Sequence, residues 1–319
     1  MNITLQKIRG AVFGAAIGDA VGVPYEFKSI DVMKANPAVD MVGSGTYGLP
    51  AGTWSDDTSM ILGTLDRLDG GLDYHAVMDA LVRWRTKGHY TPYGECFDIG
   101  TTTYQALRNY EKGAAPLDSG LKDERSNGNG SLMRIIPAAL YGAAHGLSVQ
   151  EAAALSHDLS RLTHAHRRSQ IGCGIFTFIA YALIKNPDKS AVPSAVADAK
   201  TYYESLDDER FRRELTHYER VFQVDFVETA ESDIRSSGYV VTTLECALWC
   251  LLNTDNYHDC ILKAVNFGAD TDTAACVAGA LAGLLYGEEG IPKAWRDTLA
   301  NQDLLEEIIS GFCERNEII

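Results

Sequence analysis

The sequence predicts an all-α protein. Nearly every stretch with a clear hydrophobic period repeats at three and four residues, as one face of a helix does, and alternating strand patterns bounded by turn residues are almost absent. Most of these stretches also stop at Gly or Asn, residues that close helices. The first is AVFGAAIGDAVGV, behind Lys7 and Arg9. A basic lead-in before an apolar run imitates a secretion signal. Asp19 interrupts that run, however, and Gly10, Gly14, Gly18 and Gly22 recur every four residues, as tight helix packing requires, so it reads as the first core helix. Helices are then expected over 58–70 (TSMILGTLDRLDG), 74–88, 131–146 (SLMRIIPAALYGAAHG), 167–185, 241–253 and 273–287. The stretch 188–237 is more polar and charged and reads as an exposed helical excursion. No linker, low-complexity run or repeat divides the chain, so 1–319 reads as a single domain.

Composition narrows the function. With 46% hydrophobic and 9% aromatic residues over 319 positions, the chain has ample material for a core. Against 28 Lys and Arg stand 43 Asp and Glu, a formal net charge of −15. So negative a surface repels phosphate backbones and anionic lipid, which argues against a general nucleic-acid binder or a membrane-surface protein. An anionic small molecule stays possible, because a bound divalent cation inverts the local field. No apolar run reaches the length that spans a bilayer. Seven cysteines without a CxxC pair fit buried, reduced thiols and hence a cytoplasmic protein, expected as a monomer.

Two segments carry unusual chemistry. In GTWSDDTSM (52–60), Ser55, Asp56 and Asp57 stand just before an apolar helix, and in GADTDTAAC (268–276), Asp270, Asp272 and Thr273 open another. Helix capping is the ordinary explanation for either segment alone. Capping needs one or two such residues, whereas two acids with a hydroxyl, twice, also make the oxygen-rich donor set that hard cations such as Mg²⁺, Mn²⁺ or Ca²⁺ prefer. Glu26 in GDAVGVPYEF and Asp98 in YTPYGECFDIGTTT are further acids in loops, where surface roles are common. The loop SNGNGSLMR offers Ser126, Gly128, Asn129, Gly130 and Ser131 as an anion cradle of backbone N–H groups ahead of a helix. It matches neither the phosphate-loop pattern nor GxGxxG after a strand. His164 and His166 form an HxH without the companions of a zinc site, so one is expected as a polar site residue. Tyr239 is placed to stack on a base or ribose, although such tyrosines more often pack in cores.

Taken together these pieces resemble the ADP-ribosylglycohydrolase family. The resemblance rests on GAAIGDAVGVPYE (14–26), SDDTSM (55–60), FDIG (97–100), NGNGSLMR (127–134), TH (163–164), GYVVTTLECALW (238–249) and GADTDTAACVAGALAG (268–283), in the family's order. It implies a compact orthogonal multi-helix bundle with two divalent cations, Mg²⁺ or Mn²⁺, at the bottom of a cleft. By the same resemblance Ser55, Asp56, Asp57, Asp270, Asp272 and Thr273 are the metal ligands, with Ser55 where the family more often has Thr. Glu26 lies near the metals, Asp98 faces the ribose, and the two are the catalytic candidates. The 126–131 loop, His164 and Tyr239 contact substrate. The implied activity is removal of ADP-ribose from a modified protein, most simply from arginine. Alternatives are hydrolysis of serine-linked, O-acetyl or nucleic-acid-linked ADP-ribose, or a relative that binds without cleaving.

Overall fold

Two helices buried on every side form the centre of the computed structural model, which describes residues 3–318. They are α1 (Leu5–Gly22) and the much later α14 (Thr271–Tyr286). Between them lie α2 (Ile30–Ala35), α3 (Asp56–Leu65), α4 (Tyr74–Lys87), α5 (Thr101–Glu111), α6 (Pro116–Ser119), α7 (Ile136–Ala144) and α8 (Val149–Arg161). The chain continues through α9 (Arg167–Lys185), α10 (Ala191–Ser205), α11 (Glu209–Leu215), α12 (Val240–Leu252) and α13 (Tyr257–Asn266). After α14 come α15 (Lys293–Thr298) and α16 (Gln302–Arg315). Among the described residues there is no sheet, only isolated bridges, and no helix is long and apolar enough to cross a membrane.

The glycine spacing explains the centre. α1 and α14 run antiparallel with Gly10 against Gly283, Gly14 against Gly279, Gly18 against Ala275 and Gly22 against Asp272. A Cβ on Gly14 would fall inside the van der Waals shell of the Gly279 carbonyl oxygen. Only glycines let two backbones approach so closely, and a helix with no polar face must be buried all round. α9 and α12 are likewise buried along most of their length and pack on α14, while the outer helices turn polar faces outward.

Two expected boundaries shift. The helix expected over 131–146 covers only 136–144, because Pro137 sits in its first turn and residues 131–134 form a turn ahead of it. The helix expected over 58–70 begins at Asp56 and ends at Leu65. The stretch 188–237 is exposed along much of its length and is tied to the core by a few buried side chains. α10, α11 and three short 3₁₀ turns are anchored by Tyr203 and Tyr218, both fully buried. Tyr203 hydrogen bonds His157 (2.8 Å), and the Tyr218 hydroxyl donates to the Arg168 carbonyl (2.7 Å). Its charged surface hides a few large anchors that a compositional average cannot display.

Antiparallel packing places the C-terminal end of α1 beside the N-terminus of α14, and the Thr271 hydroxyl ties them by donating to the Gly22 carbonyl (2.8 Å). The N-termini of α3 and α5 arrive at the same end. There the cleft lies.

Candidate active site

Asp19, near the C-terminal end of α1, is fully buried. Its carboxylate accepts the Ser55 N–H (3.0 Å), the Thr58 N–H (3.0 Å) and the Thr58 hydroxyl (2.6 Å). The Ser55 hydroxyl oxygen accepts the Asp57 N–H (3.3 Å). The first turn of α3 is therefore capped by Asp19 and Ser55, leaving the side chains of Asp56 and Asp57 without that task. Asp57 takes only the Thr273 hydroxyl on Oδ1 (3.3 Å), and its buried Oδ2 has no partner. At α14 the cap position is Asp270, whose carboxylate makes no capping bond and accepts the Asn129 side-chain amide (2.9 Å) instead. Asp272 Oδ1 accepts the Thr273 N–H (2.9 Å). The capping explanation thus fails for Asp56, Asp57 and Asp270, and acids separated by more than two hundred residues in sequence meet.

One carboxylate oxygen from each of Asp19, Asp57 and Asp272 lies within 4.8 Å of the others, and the same holds for Glu26, Asp98 and Asp272. A cleft of about 300 Å³ opens over these acids, lined by Glu26, Phe27, Asp56, Asp98, Asp270 and Thr273. Thr101–Thr103, Gly128–Gly130, Met133 and His164 complete the lining, and no Lys or Arg lines it. A larger groove of about 630 Å³ between α2 and α13 is lined largely by apolar side chains such as Met33 and Leu262 and holds none of these acids.

Carboxylates crowded in low dielectric resist ionisation. Burial first, then Asp98, pushes Glu26 up to about 8. Burial, then neighbouring acids, pushes Asp56, Asp57 and Asp272 well above the usual carboxylate range, and burial, then Asp270, raises Asp98. An orphaned buried carboxylate oxygen, an all-oxygen donor set and no cationic side chain are what a hard divalent cation fits. The acidic clusters can hold metal ions.

A family model described as ADP-ribosylglycohydrolase matches residues 1–317. The chain belongs to the ADP-ribosylglycohydrolase family. It is 36% identical over 310 residues to the ADP-ribosylarginine hydrolase Tri1 of Serratia proteamaculans, covering 96% of this chain and 78% of that one. It is 34% identical to the Pseudomonas putida protein of the same name (98% and 79% covered). To the ADP-ribosyl-[dinitrogen reductase] glycohydrolase of Rhodospirillum rubrum it is 28% identical (91% and 89% covered). A solved structure titled as an ADP-ribosylglycohydrolase-related protein complex superposes with a TM-score of 0.78 at 26% identity, covering 98% of both chains. The protein is a glycohydrolase enzyme.

Within this family member the remaining expected residues divide. Gly128, Asn129, Gly130 and His164 line the cleft. The Asn129 N–H donates to the Gly238 carbonyl (3.1 Å), so the loop is pinned to the entry of α12. Neither Gly128 nor Gly130 has positive φ. Gly130 is needed for a close approach, since a Cβ there would lie 2.8 Å from His164 Cε1. Ser126 and Ser131 do not reach the cleft. The Ser126 hydroxyl donates to Asp123 (2.7 Å), and Ser131, fully buried, accepts from Ser160 (2.9 Å) beside Cys173. Both serve to shape the loop. Tyr239 precedes α12, half-buried, with the Arg168 guanidinium 5.9 Å from its ring centre, and its neighbour Gly238 lines the cleft.

Three features escaped sequence reasoning. Asp19 left one signal, a charge inside an apolar glycine-spaced helix. Tyr47 left none, yet its hydroxyl donates to Glu26 Oε2 (2.6 Å) and its ring meets Phe97 edge-on at 5.2 Å. Phe27, at the rim, is 70% exposed with φ +65°, and its N–H donates to the Ala269 carbonyl (2.7 Å). Ala269 and Asp98 also have positive φ, so left-handed backbone clusters around the acids.

Proposed function

We propose that this enzyme removes ADP-ribose from arginine side chains of modified proteins by hydrolysing the N-glycosidic bond, using two divalent cations, Mg²⁺ or Mn²⁺. Ser55, Asp56, Asp57, Asp270, Asp272 and Thr273 would hold the cations. When bound, these would polarise substrate hydroxyls and water as Lewis acids. They would also offset enough negative charge for the anionic ADP-ribose to enter a protein of net charge −15. Glu26 and Asp98 face the same space, and one of these two carboxyls would deliver a proton to the departing nitrogen. Tyr47, donating to one oxygen of Glu26, leaves the other oxygen to carry that proton. The backbone N–H groups of Gly128 and Gly130 and those of the first turn of α5 suit the diphosphate. Seven free cysteines, six of them buried, support a reducing cytoplasmic setting, and a monomer is the simplest working unit.

The observation that carries the reading is the meeting of the 55–57 and 270–273 segments around the unpartnered Asp57 Oδ2. The arginine linkage is supported by the names of the Serratia and Pseudomonas relatives. The test is incubation with arginine-ADP-ribosylated protein, with and without Mg²⁺ or Mn²⁺, beside serine-linked and O-acetyl conjugates. Release from arginine that needs the cation is expected, and Asp57→Ala or Asp272→Ala should lower it at least about 100-fold with unchanged helical circular dichroism. Turnover that survives chelator and both substitutions, or that is confined to another conjugate, contradicts the reading.

A further inference from the structure

His164 lines the cleft, and among the described residues no carboxylate hydrogen bonds to it. Its ring is 2% exposed, its Nε2 side faces Gly128 and Gly130 across the cleft lining, and no protein group hydrogen bonds to Nε2 among the described residues. Its other nitrogen, Nδ1, lies 2.9 Å from the Thr163 hydroxyl oxygen. That hydroxyl oxygen also accepts from Arg134 Nη2 (2.9 Å), and Nη2 donates in addition to the Leu159 carbonyl (2.9 Å). Arg134 and Thr163 are both fully buried.

The donor count decides where the protons sit. A guanidinium only donates, so the bond from Arg134 occupies a lone pair of the Thr163 oxygen and cannot take its hydrogen. The Thr163 hydroxyl proton has one acceptor within reach, Nδ1 of His164. Were Nδ1 itself protonated, two donors would face one hydroxyl oxygen and its own proton would be buried without a partner, a loss a folded core avoids. Nδ1 must therefore be bare, and the ring's single proton sits on Nε2.

We propose that Arg134 and Thr163 are positioning residues that lock His164 as a neutral imidazole with its Nε2–H aimed into the cleft, ready to donate to an acceptor oxygen of the substrate. Arg134 has a second effect. Among the described residues no carboxylate pairs with it and its Nε and Nη1 have no partner, so its buried charge opposes a second positive charge on the adjoining ring. Burial and then Arg134 push His164 down to about 3, consistent with a ring that stays neutral at working pH. The NGNGSLMR motif thus contributes twice: Gly130, in its middle, admits the ring, and Arg134, at its end, bonds Thr163 to set the ring's protons.

The lock concerns the free protein, whereas its use in binding rests on the proposed ADP-ribose substrate, and the two are read separately. Side-chain ¹⁵N NMR of the full-length protein, with His164 assigned by its loss in His164→Gln, should show Nε2 protonated and Nδ1 bare throughout pH 5.5 to 8.5. Thr163→Val should shift the Nδ1 resonance and weaken ADP-ribose binding roughly tenfold, while Thr163→Ser restores both. A proton on Nδ1 in the wild-type protein overturns the proposal, as does Thr163→Val with an unmoved resonance and undiminished ADP-ribose affinity. Wild-type protein with the expected protonation but no ADP-ribose binding upholds the lock and contradicts the substrate.

Discussion

Glu26 shows how much of the chemistry resides in single environments. Its ordinary carboxyl in solution ionises near 4.5, but burial and Asp98 raise it to about 8 in the folded protein. Between those values the folded state holds a proton that the unfolded chain has released, so stability is greatest at the acid side and falls as pH rises towards 8. Asp56, Asp57 and Asp272, also raised by burial and by neighbouring acids, act in the same direction. The buried histidines His157 and His164, each lowered to about 3, oppose this trend below 6.5 but are neutral in both states above it. Metal-free protein should therefore melt at lower temperature at pH 8 than at pH 6.5. Added Mg²⁺ or Mn²⁺ should raise the melting temperature more at pH 8, where fewer protons compete for the carboxylates. A flat profile, or equal stabilisation by cation at both pH values, would show that these acids are not coupled as described. At this scale the acids themselves were legible in the sequence, because paired Asp with Ser or Thr before a helix is conspicuous. Tyr47 was not, since a tyrosine in a Gly-rich loop looks the same whether it faces solvent or Glu26.

Helices, in turn, place those residues. The four-residue glycine spacing in α1 was readable as a packing surface, and its partner turned out to be the equally glycine-rich α14. What sequence could not disclose was the pairing itself, because nothing local distinguishes α14 from other small-residue helices as the one that α1 meets. Local patterns also misjudged an end: apolar periodicity runs through Ser131–Ile135, residues buried in a turn that packs as densely as a helix, and only Pro137 hinted at the true start. The glycine contact makes an element-scale prediction. Gly14→Ala must push α1 from α14, an overpacking that costs about 1–3 kcal/mol. In a protein of this size that is a fall of roughly 1.5–4.5 °C in melting temperature. Because Asp19 and Asp272 ride on these two helices, cation affinity should fall with it. Differential scanning calorimetry with and without Mn²⁺ measures both, and an unaltered melt would mean that the helices are less closely apposed than described.

Across the whole molecule, the fold brings its most distant segments together at one end. The tail of α1, the heads of α3 and α5, and the head of α14 each contribute acids or backbone N–H groups to one cleft, and the capping need of α3 is met by Asp19 and Ser55, which leaves Asp56 and Asp57 free of that task. Helix N-termini favour negative charge, which helps this end of the protein tolerate so many carboxylates. The net charge of −15 is compatible with the proposed reading, in which bound cations would admit an anionic substrate. The decisive measurement is anomalous diffraction from crystals soaked in Mn²⁺ at neutral pH. The account predicts manganese peaks between the carboxylates of Asp56 and Asp57 and those of Asp270 and Asp272, at about 2.2 Å from their oxygens. Manganese bound elsewhere, with no peak joining the two segments, would contradict it.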